Sequence, residues 1–243
     1  MSKRLLIGLS AYNEMHRIKP VIEDLRGHQN SFNCSIVVGD DGSTDGTGEY
    51  LSQIADQYDW GFIQSEKNQG IGAMIRAIIS YGKDNNYDVL IIISANGKTD
   101  IDSLPILYEP VMRGEYDYVK GSRYMKGGHQ ENMPLFRFAA IPIFSAFVSL
   151  LMLKRVTDVS FLVNASSLKI YDDPDIVLNQ EWLDTYGLEY YILYYVMKKY
   201  KMKEVPMTIK YPSDKLSYSK IKPFSGWWEM IRPWLLLRLG VKK

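Results

Sequence analysis

The stretch Val37-Val38-Gly39-Asp40-Asp41-Gly42-Ser43-Thr44-Asp45-Gly46-Thr47 decides how this chain is read. It follows a β-branched run and gathers three acids, three glycines and three hydroxyls on one turn. A strand that ends in paired carboxylates and then breaks at Gly42 projects those acids from its carboxyl edge. In open α/β sheets that edge is where ligands bind.

Outward from this turn, β-rich apolar runs occur at 5–9, 35–38, 61–64, 89–93 and 116–119. Helix-like segments lie between them at 17–25, 44–57, 70–81 and 102–113. Strand–helix alternation predicts a parallel sheet covered by helices. The run Ile91-Ile92-Ile93 lacks polar alternation, as a central strand buried on both faces requires. Beyond Gly121 the pattern changes. Residues 125–133 read as a loop, 134–153 as a long apolar helix and 156–163 as a strand. Residues 184–200 read as a tyrosine-rich helix, 204–211 as another strand and 224–239 as an amphipathic end.

With 243 residues and 46% hydrophobic content, the chain can bury a sizeable core. The single cysteine, Cys34, excludes an internal disulfide framework, suits a reducing compartment and reads as a core residue. A net charge of +1 argues against a general nucleic-acid binder. That total hides an asymmetry: Lys198 to Lys243 carries 12 basic and 3 acidic residues, so this tail is +9 and the remainder −8. A basic tail on an acidic body suggests a surface-directed face. The N-terminal run Leu5–Leu9, interrupted by Gly8 and followed by Tyr12-Asn13-Glu14, reads as a strand rather than a signal peptide.

Carboxylates at Asp40, Asp41 and Asp45 are suited to accept from a nucleobase N–H or from ribose hydroxyls, with Ser43 or Thr44 capping the following helix. Ala11-Tyr12-Asn13-Glu14 follows the first strand; Tyr12 is placed to stack on a base and Glu14 to contact it or hold the loop. In Lys67-Asn68-Gln69-Gly70-Ile71-Gly72, two glycines open a helix and permit close approach to an anion or sugar, with Arg76 one turn further on. His16, His28 and His129 show no metal-ligand spacing.

Tyr12-Asn13-Glu14, the acid turn, Asn68-x-Gly70-x-Gly72 and Gly121-Ser122-Arg123-Tyr124 occur in an order and rough spacing that resemble family 2 glycosyltransferases of the GT-A fold. Within that family the chain is most similar to the dolichyl- or polyprenyl-phosphate mannosyl- and glucosyltransferase branch. The resemblance implies a Rossmann-like, mostly parallel sheet flanked by helices over residues 1–222; the tryptophans, leucines and basic residues of 223–243 read as a C-terminal amphipathic segment suited to a membrane surface. It implies that the first two motifs hold the nucleoside of a UDP- or GDP-linked sugar, Asp41 taking that role with Asp40 beside it. Arg123 is similar to an arginine near the donor diphosphate, and Arg137 to one that holds the acceptor phosphate. Asp158 falls where the branch carries an aspartate. It or Glu189 is the candidate to deprotonate a hydroxyl acceptor, whereas a phosphate acceptor needs no base. Ser219-Lys220-Ile221 resembles a further phosphate contact.

The metal motif departs from the family. An Asp-x-Asp is expected after the fourth strand, where this chain reads Ser94-Ala95-Asn96-Gly97-Lys98-Thr99-Asp100. Mg²⁺ and Mn²⁺ prefer anionic oxygens, so neutral Ser94 and Asn96 should weaken or abolish metal dependence. Asn96 and Asp100 remain as the candidate ligands, and Lys98 is placed to offset diphosphate charge.

Trp227, Trp228 and Trp234 lie among leucines and basic residues, and 138–153 is uncharged. Both features suit a water–lipid interface. The expectation is an enzyme at the inner face of a membrane with a lipid-linked acceptor, making a glycolipid or surface polysaccharide, and open to homo-oligomer formation. A partner subunit that keeps the nucleotide crevice but lost its metal acids is the alternative. A nucleotidyltransferase has less support, because no Gly-rich basic signature follows the first strand.

Overall fold

The computed structural model describes residues 3–211 and 225–242. Its main sheet has seven strands in the order β3-β2-β1-β4-β7-β5-β8. These are β1 (Leu5–Ala11), β2 (Cys34–Asp40), β3 (Gly61–Gln64), β4 (Val89–Ser94), β5 (Tyr118–Ser122), β7 (Asn164–Ser167) and β8 (Met202–Pro206). All pair in parallel except β7, which is antiparallel to both β4 and β5. Every residue of β1 is buried, as its central place requires. The mixed α/β architecture with a mostly parallel sheet is the one expected.

Helices cover both faces. Against one pack α1 (Met15–Phe32), α2 (Thr47–Tyr58) and α4 (Pro105–Met112); Ile18, Leu25, Leu51 and Leu107 lie in this core. The other face carries α3 (Ile71–Asp84), α5 (Leu135–Met152), α6 (Gly187–Lys199) and α7 (Ser225–Arg238); Ile78, Val148, Leu193 and Trp234 lie there. Most of these helices bury one stripe because their apolar residues recur near the helical period, whereas α6 is buried on nearly all sides from Tyr190 to Met197. Cys34 is half-buried, and burial pushes its thiol up to about 11, so it stays protonated as a packing residue.

Three elements differ from expectation. The apolar run 156–163 is not a strand. Val156, Val159 and Phe161 are buried, but side chains rather than a ladder take up their backbone N–H groups. Ser149 Oγ accepts from Val156 at 3.0 Å and Ser145 Oγ from Val159 at 3.0 Å. The strand follows at β7. Residues 204–211 break at Met207 into β8 and a short β9 (Thr208–Lys210), which pairs with β6 (His129–Glu131) inside the expected loop. The boundary expected at 222–223 and Ser219-Lys220-Ile221 lie outside the described residues.

Candidate active site

In the order β3-β2-β1-β4, the chain leaves one side of β1 and returns on the other. The crevice of such a sheet opens where this reversal occurs, between β1 and β4. Register places Ala11 beside Asp40 and Ser10 beside Ser94, so the loops after β2, β1 and β4 stand side by side. Ala95 N–H donates to Ser10 O at 2.9 Å and Asp41 N–H to Ala11 O at 2.9 Å, which fixes the three loops together.

The first two motifs lock onto each other. Asn13, at φ +52°, donates its N–H to Ser43 Oγ at 2.8 Å, and its Oδ1 accepts from Thr44 N–H at 2.8 Å. Glu14 N–H donates to Thr47 Oγ1 at 3.0 Å. Asp45 accepts from Met15 N–H at 3.1 Å and from Thr47 N–H at 3.0 Å, so one carboxylate serves the N-termini of α1 and α2 together. Burial works against its charge, but these donors and the Thr47 hydroxyl outweigh it and lower its pKa. Ser43 and Thr44 are thus inter-loop contacts rather than the expected helix caps. Tyr12 is half-buried and Glu14 buried within this assembly.

Asp40 is fully buried at the end of β2, accepting from Ser43 N–H at 3.3 Å and Gln64 Nε2 at 3.4 Å. Asp41 accepts from Gln69 and Gly70 N–H, both at 2.9 Å. Burial raises the Asp41 pKa and the adjacent Asp40 adds to this, while the two backbone donors oppose it. Gly42 sits at φ +69°, where a Cβ would stand 2.5 Å from the Lys67 carbonyl carbon. That contact brings exposed Asn68 against the acid turn. Beside it opens a hollow of about 400 Å³ lined by Asp40, Gly42, Ser43, Gln64, Ser65 and Glu66. The last three were not anticipated; their only sequence signal is their place at the carboxyl end of a short strand.

Gly72 has a different task from the one expected. A Cβ there would collide with the carbonyl oxygens of Leu183 and Thr185, and Ala73 N–H donates to Asp184 O at 3.1 Å. Arg76 pairs with Asp184 and donates to Leu178 O at 3.2 Å. The glycine opening of α3 therefore docks the segment 183–185 rather than approaching a ligand.

Arg123 and Asp158, expected at the site, meet each other. Both are buried and pair bidentately, Nε to Oδ2 at 2.7 Å and Nη2 to Oδ1 at 2.8 Å. Arg123 also donates to Ser160 Oγ at 2.7 Å and to Tyr211 Oη at 3.1 Å; Asp158 accepts from the N–H groups of Arg123 and Phe161, each at 3.1 Å. Burial opposes both charges, yet the pairing lowers the Asp158 pKa and raises that of Arg123. In this arrangement the carboxylate and the guanidinium fork are each taken up by the other. Fully buried Lys120 donates to the carbonyls of Asp158 and Phe161, and Glu204 accepts from Thr157 N–H at 2.8 Å and Asp158 N–H at 3.2 Å. None of this layer beyond Arg123 and Asp158 was singled out in sequence, because its members come from distant segments.

Glu189 stands in the first turn of α6, beside a small hollow lined by Ile75, Ile92, Tyr118, Asn164, Tyr171 and Ile192. Burial pushes its carboxyl up to about 8. It lies within electrostatic reach of Lys120, which donates to the Asp158 carbonyl. Arg137 is half-buried in the first turn of α5.

After β4, Asn96 Oδ1 accepts from Lys98 N–H at 3.1 Å, closing a turn with Gly97 at φ +68°. Lys98 Nζ lies 5.2 Å from the centre of the Tyr211 ring, whose hydroxyl meets Arg123. The loop is pinned by Lys210 N–H on Lys98 O and by the Thr99–Ile209 bridge. Asp100 leads into a 3-10 turn, within electrostatic reach of Asp24 on α1. Among the described residues no group of three or more His, Cys, Asp or Glu is placed to hold a metal ion.

The model of the family described as "Glycosyl transferase family 2" matches residues 7–172. The chain is 29% identical over 134 residues to the dolichol-phosphate mannosyltransferase of Pyrococcus furiosus, covering 55% of this chain and 37% of that protein. It is 31% identical over 135 residues to the polyprenol monophosphomannose synthase of Mycolicibacterium smegmatis, covering 55% and 50%. The match thus spans about half, or less, of the length of these curated relatives. Among solved structures, mannosyl-3-phosphoglycerate synthase from Rubrobacter xylanophilus superposes with a TM-score of 0.70 at 15% identity, over 99% of this chain and 76% of that one. Glucosyl-3-phosphoglycerate synthase from Mycobacterium tuberculosis, solved with Mn²⁺, UDP and glucosyl-3-phosphoglycerate, gives 0.65 at 17% identity, over 99% and 81%. Both show the GT-A fold.

Proposed function

This chain belongs to glycosyl transferase family 2, and from that premise we propose that it moves a sugar, with inversion, from a nucleoside-diphosphate donor to the phosphate of a polyprenyl lipid at a membrane surface. The observation that carries the acceptor class is the outer face of α5. Leu135, Phe136, Ile143, Leu150 and Leu153 are 86%, 70%, 71%, 75% and 80% exposed. They recur at helical spacing and form one uncharged stripe, with exposed Lys154 and Arg155 at its end. The helix is long and apolar enough to cross a membrane, yet only 22% of it is buried in the protein. A stripe this large in contact with water is unfavourable and suits hydrocarbon, with the basic pair facing lipid head groups. Trp227 of α7 meets Phe136 with ring centres 5.7 Å apart, which extends the same surface. The names of the relatives point to the same acceptor class.

In this reading the nucleoside enters the hollow beside Asp40 and the loops of Tyr12 and Asp41. The acceptor phosphate arrives at the N-terminal end of α5, near Arg137. A phosphate oxygen is already an anion and attacks the anomeric carbon without losing a proton, which agrees with the occupied state of Asp158. The bond to the donor diphosphate breaks as the new bond forms on the opposite face, and positive side chains stabilise the departing diphosphate. Asp158 and Arg123 act as positioning residues that hold Tyr211 and the 156–163 loop. The cytoplasmic leaflet is the corresponding location. The partner-subunit alternative finds no support among relatives named as transferases.

The test is transfer of labelled sugar from a panel of UDP- and GDP-sugars to polyprenyl phosphate in vesicles. The expected product is a lipid-phosphate sugar of inverted anomeric configuration. Transfer only to a water-soluble hydroxyl acceptor would refute the acceptor assignment.

A further inference from the structure

The loop after β4 is built from hydrogen-bond donors where a metal site would be built from carboxylates. We infer that this chain binds the diphosphate of its donor directly through Ser94, Asn96 and Lys98, with no divalent cation between; the inference rests on the nucleotide-sugar reading above.

The argument starts from charge. Two carboxylates near a diphosphate repel it and need a cation to bridge them, and hard divalent ions select anionic oxygens. Here Ser94 and Asn96 bring no charge, and Lys98 brings a positive one two residues further on. A dication at this loop would meet a like charge rather than an anionic ligand. The geometry adds to this. The Asn96 carbonyl oxygen, its only ligating atom, already accepts from Lys98 N–H at 3.1 Å. Its other terminal group is the amide NH₂, a donor (assigned from this hydrogen bond). Together the loop offers a hydroxyl, an amide NH₂ and an ammonium, all able to donate to phosphate oxygens, while its neutral oxygens bring no charge to hold a divalent cation. Asp100, the remaining acid, sits on the side of the loop near Asp24 of α1.

The placement is also right for a diphosphate. Ser94 ends β4 in register with Ser10, one strand from the loop of Tyr12 and two from Asp40, so the loop lines the crevice between β1 and β4. Lys98 is held in position by the Tyr211 ring and by β9 rather than left to wander. A fixed cation loses less freedom on binding an anion than a mobile one.

Calorimetric titration of UDP, GDP and their parent nucleosides into the purified chain tests this, in excess EDTA and in excess Mn²⁺. The expected result is a diphosphate affinity that differs by less than about threefold between the two conditions. Lys98→Gln should weaken diphosphate binding by about tenfold in EDTA and leave nucleoside binding unchanged. The double variant Ser94→Asp/Asn96→Asp should reverse the behaviour, binding diphosphate poorly in EDTA and recovering with Mn²⁺. Wild-type binding that appears only with Mn²⁺ overturns the inference and leaves the nucleotide reading standing. Absence of binding to either diphosphate under both conditions overturns both.

Discussion

Replacing Arg123 with methionine separates a structural arginine from one that holds the donor. Methionine keeps much of the volume and removes the guanidinium. Asp158 then loses two charge-assisted bonds, at 2.7 and 2.8 Å, and keeps the N–H groups of residue 123 and Phe161 at 3.1 Å with the Ser160 hydroxyl at 3.3 Å. Breaking a buried pair from one side costs about 3–5 kcal/mol, because the remaining charge stays buried. Two lost bonds at about 1.5–3 kcal/mol each give about 3–6 kcal/mol, which overlaps that range. For a chain of this length that lowers Tm by roughly 6–20 °C, at about 2–4 °C per kcal/mol. Against a total stability of about 5–15 kcal/mol this loss is large. Scanning calorimetry at neutral pH reads it directly. The double variant Arg123→Met/Asp158→Asn should be less destabilised than the sum of the singles, by about 1–3 kcal/mol.

The pH profile adds a second signature. In the wild type, the Asp158 pKa is lowered, so its contribution is present above the ordinary carboxyl range and is lost only as pH falls through the lowered value. Without Arg123, burial prevails and raises the Asp158 pKa. The variant should then gain stability, relative to wild type, as pH falls from neutral towards 4. A thermally unchanged Arg123→Met that has lost nucleotide affinity would refute this reasoning, since it would mean that Arg123 spends its charge on the donor.

Two glycines in helices should respond to alanine with opposite signs. At Gly72 the new methyl meets the Leu183 and Thr185 carbonyls, and overpacking of about 1–3 kcal/mol should exceed the roughly 1 kcal/mol gained in helix propensity. At Gly27 nothing lies within 4 Å, so alanine should stabilise by up to about 1 kcal/mol in urea unfolding. Glu189→Gln should leave stability nearly unchanged at about pH 4 and raise it progressively as pH climbs from the ordinary carboxyl range to about 8, because over that window the unfolded carboxyl ionises while the buried one is held protonated; above about 8 the difference should level off. The difference should reach about 1–3 kcal/mol by pH 9, a value discounted for partial exposure; parallel profiles would count against it.

Most of the sheet was legible because its signals are local. The apolar runs at 5–9 and 61–64 and the acid turn after β2 each lie within a few residues, and a buried parallel strand needs only such a run. The same holds for the departure at Ser94 and Asn96, which is visible as letters. The 156–163 segment was misread for the converse reason: its apolar pattern is that of a strand, but Ser145, Ser149 and Glu204 from other elements satisfy its backbone.

By itself the sequence determined that an α/β sheet ends in neighbouring acids and that the usual metal carboxylates are missing, since both depend on residue type and order along the chain. Tertiary structure decided that Gly72 faces a backbone rather than a ligand, and that Arg123 and Asp158 spend their charges on each other. It also decided that one face of α5 stays open to its surroundings. Those outcomes depend on which distant groups meet in space, and a buried charge or an absent Cβ acquires its meaning only from the partner that folding brings to it.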